Sequence, residues 1–163
     1  MDEFLTALFD KADNSFIPEG EGWYAPLIEE WALAYSALHG RTLKGEWFFR
    51  KILEGTAIKD IFICPSRDTK DTNPQPDGEY GVVIGMYNQS NHCYDMTYVC
   101  TKYTKRLTVR KVNDRIECSV VDHPNEKWCF SDITSTTFHW QNEVHLADGT
   151  VQVKCEVFGH RVN

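Results

Sequence analysis

The stretch TFHWQNEVHLADGTVQVKCEV, residues 137–157, reads as a β-hairpin. Apolar and polar residues alternate on both sides of Asp148-Gly149, a dipeptide suited to the positive φ angles of a type I′ turn, so pairs follow by counting outward. One face then carries Leu146 opposite Val151, Val144 opposite Val153, Asn142 opposite Cys155 and Trp140 opposite Val157, with Phe138 beside them. The other carries His145 opposite Gln152, Glu143 opposite Lys154 and Gln141 opposite Glu156. A ribbon divided in this way has one side in an apolar interior and the other in water, with Glu143 and Lys154 as a cross-strand ion pair.

The same period of two runs through most of the chain. Strand-like runs cover 45–53, 56–64, 79–87, 93–101, 105–112, 115–122, 127–131, 136–146 and 150–161, with short turn-forming connections and one long polar loop at 66–78. A meander of nine strands leaves two bare edges unless it closes, so the reading is mainly β: an up-and-down antiparallel barrel of about nine strands. The loop at 66–78 is the natural rim of a barrel mouth. With Asn113-Asp114 as a turn, Val109 faces Cys118 and Leu107 faces Val120 inside, while Arg110 faces Glu117 and Thr108 faces Ser119 outside.

The first forty residues differ. Phe4, Leu5, Leu8 and Phe9 share one helical stripe, and Leu27, Ile28, Trp31, Tyr35 and Leu38 share another after Pro26 and before Gly40, which predicts two short N-terminal helices. At 163 residues the chain is read as a single domain, with residues 1–40 as a helical segment that covers one barrel end and 44–161 as the barrel.

Composition narrows the function. Lys and Arg total 17 against 24 Asp and Glu, a formal charge of −7, which gives a nucleic-acid backbone no electrostatic support. The start is acidic and no apolar run approaches membrane-spanning length, so no membrane partner and a cytoplasmic location are expected. Cys64, Cys93, Cys100, Cys118, Cys129 and Cys155 are scattered without the close pairs of a zinc site and read as reduced core thiols. His139, Glu143 and His145 share a strand face, but the register places it in solvent beside Lys154, so no metal and no cofactor are expected.

The runs GEWFFRKILEGTAIKDIFICP (45–65), EYGVVIGMYN (79–88) and FSDITSTTFHWQNEVHLADGT (130–150), with His160-Arg161 near the end, resemble a group of uncharacterised bacterial proteins of the lipocalin-like, or calycin, barrels. The likeness covers about residues 44–161. Members of that group often have Arg after the Trp of the last hairpin and a second Trp after its turn, where Gln141 and Val151 stand here. The resemblance implies a barrel with a central cavity and supplies no catalytic residues to transfer.

Chemistry concentrates in the first hairpin. With Glu54-Gly55 as the turn, Trp47 meets Phe62, Phe49 meets Asp60 and Lys51 meets Ile58, so Asp60 falls on the inner, aromatic face. A carboxylate there must be paired or have a raised pKa, which suits it to recognising a hydrogen-bond donor or to acid–base work. A one-residue slip would put it outside, and a buried structural pairing is the other alternative. The expected partner is a small apolar or aromatic molecule, with a homodimer left open, and the candidate ligand-binding residues are Trp47, Phe49, Asp60, Phe62, Tyr80, Met86, Tyr98 and Trp140. The rival readings are a non-metal enzyme using Asp60 with a Tyr, a haem-binding barrel with one of the histidines inside, and an oligomeric module with a filled core. No nucleophile elbow, phosphate loop or zinc-protease helix motif is present.

Overall fold

Two of the three hairpins pair residue for residue as counting predicts. In the computed structural model, which describes residues 2–14, 16–37 and 40–163, Trp47 pairs with Phe62, Phe49 with Asp60 and Lys51 with Ile58. Likewise Leu107 pairs with Val120, Val109 with Cys118 and Arg110 with Glu117. The strands are β1 (Glu29–Ala37), β2 (Thr42–Ile52), β3 (Ala57–Cys64), β4 (Glu79–Asn88) and β5 (Cys93–Cys100), then β6 (Thr104–Val112), β7 (Arg115–Val120), β8 (His123–Ser131), β9 (Thr137–His145) and β10 (Val151–Arg161). Each pairs antiparallel with its neighbour in sequence, and β1 pairs with β10 to close the barrel.

The barrel therefore has ten strands rather than nine, and one of the two expected helices is a strand. Helix α1 (Glu3–Phe9) forms, capped by the Asp2 carboxylate, which accepts from the Phe4 N–H. The second predicted helix shrinks to a 3-10 turn at Ala25–Leu27 and gives way at Glu29, whose φ is 147°, to β1. The residues allow both readings, because Trp31 and Tyr35 fall on a helical stripe while Trp31, Leu33 and Tyr35 also fall on one side of a strand. Pairing with β2 on one side and β10 on the other decides for the strand, since a helix would leave both edges open. Leu38, the last residue of the predicted stripe, lies outside the described residues.

The last hairpin also departs from its expected register. Asn142 pairs with Cys155, Trp140 with Val157 and Phe138 with Gly159, but a bulge at Lys154 shifts the tip by one, so Val153 pairs with Glu143 and Val151 with His145. Of the two turn residues only Gly149 is left-handed, at φ 86°. The Asp148 carboxylate instead accepts from the Thr150 N–H at 2.9 Å and the Thr150 hydroxyl at 2.6 Å, while the Gly149 N–H closes on the Leu146 carbonyl at 3.0 Å. This is a longer turn with a glycine bulge, not the two-residue turn the dipeptide suggests. Leu146, Val151 and Val153 are consequently exposed. The Glu143–Lys154 pair is replaced: Glu143 is buried on the outer wall, paired with Arg115 and hydrogen-bonded to His145 at 2.9 Å.

The core lies inside the barrel and against its closed end. Trp23, Tyr24 and Leu27, from the segment before β1, plug that end, with Tyr24 against Tyr94 at 5.2 Å between ring centroids. Helix α1 buries no residue. The cover over the barrel end is thus the Tyr24–Leu27 turn. No helix of the described residues is long and apolar enough to cross a membrane.

Candidate functional site

Above the plug the barrel interior is not filled. A cavity of about 100 Å³ lies between the strands and reaches the surface at the end bearing Arg41, Asp77, Glu79 and Tyr103. Trp47 stands at its centre: the ring stacks on Phe49 at 5.2 Å and meets Phe62 at 5.0 Å, Phe130 at 5.2 Å and Trp140 at 5.9 Å. Trp128 packs on Tyr98 at 5.2 Å and completes the aromatic wall. Gly81 permits this, because a Cβ there would meet the Tyr98 ring at 2.6 Å.

Asp60 lies deep in this wall, 4% exposed. Its Oδ1 accepts the Trp47 indole N–H at 2.9 Å, and no Lys, Arg or His among the described residues pairs with it. Burial pushes the carboxyl pKa up to about 7, against the opposing hydrogen bonds from Trp47 and the Val83 backbone. The nearby Tyr24 hydroxyl and Cys118 thiol are both held above their ordinary pKa values, chiefly by burial, and stay neutral.

The mouth is polar and mostly self-satisfied. Glu79 accepts the Tyr98 hydroxyl at 2.6 Å and the Tyr103 hydroxyl at 2.7 Å. Burial and that carboxylate push both phenols upward. Arg41 donates to Gln75 and Asp77, each at 2.5 Å, and so ties the start of β2 to the 65–78 loop. On the far wall Glu126 accepts from Lys105 at 2.8 Å, from the Trp128 indole at 3.1 Å and from Asn142 Nδ2 at 3.5 Å. Two buried polar atoms at this end have no partner, Asn142 Oδ1 and Arg41 Nε.

Of the residues singled out from sequence, Trp47, Asp60, Phe62, Tyr98 and Trp140 line the cavity together. Phe49 is wholly buried behind Trp47 and does not line it. Tyr80 and Met86 are corrections: both point outward, 41% and 51% exposed. The register Asp60↔Val83 puts the odd-numbered residues of β4 inside, where Gly81 and Gly85 leave room for neighbours, and the larger even-numbered ones outside. Size on that strand therefore points the wrong way. Sequence reasoning missed Glu79, which shares the inner parity of Val83, and Asn142, the polar residue on the otherwise apolar face of the last hairpin. It also missed Arg41 and Tyr24, which reach the cavity from irregular segments that no period could register.

None of the five described histidines lines the cavity, and His39 lies outside the described residues. All six cysteines are free thiols. No family model matches the chain, and no curated protein does. Among solved structures it is similar to Rv2717c from M. tuberculosis, at 11% identity over 90% of this chain and 99% of that one, with a TM-score of 0.52. It is also similar to a redesigned β-barrel, at 13% identity over 92% of this chain and 100% of that one, with a TM-score of 0.40. At these identities the first likeness shows the fold, a closed antiparallel β-barrel, and nothing about activity.

Proposed function

We propose that this chain is a lipocalin-like binding protein that takes a small, largely apolar or aromatic molecule into the open end of the barrel. The observation that carries the reading is Asp60: a buried carboxyl without a cationic partner among the described residues, at the inner end of an aromatic cavity that reaches the surface. Concave, mostly apolar pockets with few polar groups are where small ligands bind. The volume of about 100 Å³ is below the roughly 150 Å³ of an apolar cavity that admits benzene, so a ligand would fill it with part of its body and leave the rest at the open mouth. It is small for haem, and the cavity wall offers no described histidine to a haem iron. Ten strands make this barrel wider than the eight of lipocalins, which leaves room for both the aromatic lining and the cavity.

Acid–base catalysis is the second reading, favoured by a carboxyl whose pKa of about 7 matches a neutral operating pH. Its partner phenol would be Tyr24, which lies near Asp60, because the Tyr98 and Tyr103 hydroxyls are committed to Glu79.

Native mass spectrometry of the purified protein, with and without a panel of small aromatic molecules, tests the binding reading. Val83→Phe is the control: Val83 lines the cavity beside Asp60, so the larger ring fills the space. Binding by the wild type that disappears in folded Val83→Phe supports the reading. Binding that survives the substitution, or no ligand across the panel, overturns it.

A further inference from the structure

The charged lining is mostly acidic. Among the described residues its carboxylates are Asp60 at depth and Asp77 and Glu79 at the mouth, and its basic side chain is Arg41, answered by Asp77 at 2.5 Å with its Nε left unpartnered. That leaves Asp60 and Glu79 with no cationic partner among the described residues, Asp60 held by an indole N–H and Glu79 by two phenols. The unpartnered Oδ1 of Asn142 adds an acceptor to the cavity lining. Its orientation is fixed by chemistry, because the carboxylate of Glu126 can only accept and so takes the amide Nδ2. The aromatic side chains Trp47, Trp128, Trp140 and Phe62 line the cavity with them, Trp47 turning the N–H edge of its indole to Asp60. Aromatic faces carry negative quadrupoles that attract cations, and one ammonium, Lys105 Nζ, already lies 5.4 Å from the Trp128 ring while Glu126 binds it at 2.8 Å.

We infer that the cavity selects a small organic cation, a protonated amine on an apolar or aromatic body, whose ammonium enters to hydrogen-bond Asp60 at the inner end of the aromatic lining. The inference rests on the binding reading above and adds the charge of the ligand to it. A neutral molecule of the same shape fills the cavity equally well but forgoes the ion pair. An anion meets two carboxyls and no free cationic side chain among the described residues.

Binding has a proton signature. The groups facing Asp60 are Trp47 from β2, Val83 from β4, Tyr24 from the plug and Cys118 from β7, and none of them carries a charge at neutral pH. Near pH 7 the carboxyl is therefore part-protonated in the free protein, and an ammonium beside it favours the ionised form. Capture of the cation releases a proton, and capture of a neutral ligand does not.

Isothermal titration calorimetry with benzylamine, benzyl alcohol and benzoate, in two buffers of different ionisation enthalpy at pH 7, reads both effects. The expected order is benzylamine first by roughly tenfold or more over benzyl alcohol, with benzoate last, since a hydrogen bond to a charged group exceeds a neutral one. Benzylamine heats should differ between the buffers by the released proton, and benzyl alcohol heats should not. In Asp60→Asn the preference for benzylamine should fall to within a fewfold. If that variant does not fold, the ligand order of the wild type still decides. Benzyl alcohol binding as tightly as benzylamine overturns the cation and leaves the binding reading standing. Failure of all three probes overturns both.

Discussion

Asp60 shows how one side chain links folding to pH. Its carboxyl keeps its proton in the folded state up to about pH 7, against about 4 in an unfolded chain. Between those values the folded state binds more protons, so this residue's contribution to stability falls as pH rises from about 4 and is fully lost above 7. Asp60→Asn removes the titration while keeping an oxygen for the Trp47 indole. The variant should therefore gain stability over the wild type as pH rises, with a difference in urea unfolding free energy at pH 8 exceeding that at pH 5 by a few kcal/mol, at about 1.4 per pKa unit. A difference independent of pH would place the carboxyl in water. The inward position of Asp60 was legible from the Glu54-Gly55 turn and strand parity alone. Its isolation from every cation among the described residues was not, because that depends on what β4, β7 and the plug bring opposite it.

At the scale of elements, strand pairing was legible wherever a turn set the register and both faces differed in polarity, as in the β2–β3 and β6–β7 hairpins. The facing of side chains was misread where small residues occupied the inside, as on β4, and the register slipped at the β9–β10 tip, where the bonds from Thr150 to the Asp148 carboxylate override the dipeptide rule. That slip moves the stability of the hairpin from its valines to Glu143. Val153→Asp places a charge at a position already in contact with water and should change the urea midpoint little. Glu143→Ala removes the buried partner of Arg115 and His145, and should cost on the order of 3 kcal/mol by leaving the Arg115 guanidinium half-buried and unpaired. The opposite order in the two midpoints would restore the simple two-residue turn.

For the whole molecule the decisive constraint is closure. A meander in which every strand is antiparallel to the next can close with an antiparallel pair only if the number of strands is even, so nine strand-like runs already implied a missing tenth. The segment with two competing periods, 29–37, is that strand, and it pairs with β2 and β10 along its length. Trp31 is fully buried within it, stacks edge-on against Phe138 at 4.8 Å and lies under the Arg161 guanidinium at 4.4 Å, so the seam is sealed by packing as well as by hydrogen bonds. Helix α1 contributes nothing comparable, since it buries no residue. Removing residues 2–10 should leave the unfolding midpoint nearly unchanged, because the Lys11–Glu54 contact and the packing of Asn14 on Gly55 remain. Trp31→Ala should instead cost roughly 3–5 kcal/mol. Removing residues 2–37 should open the barrel outright, exposing the unpaired edges of β2 and β10 to other chains. Size-exclusion chromatography would then show aggregates in place of the elution of the intact chain. A chain shortened to residue 38 that elutes and melts like the full-length protein would mean that β2 and β10 can close without β1.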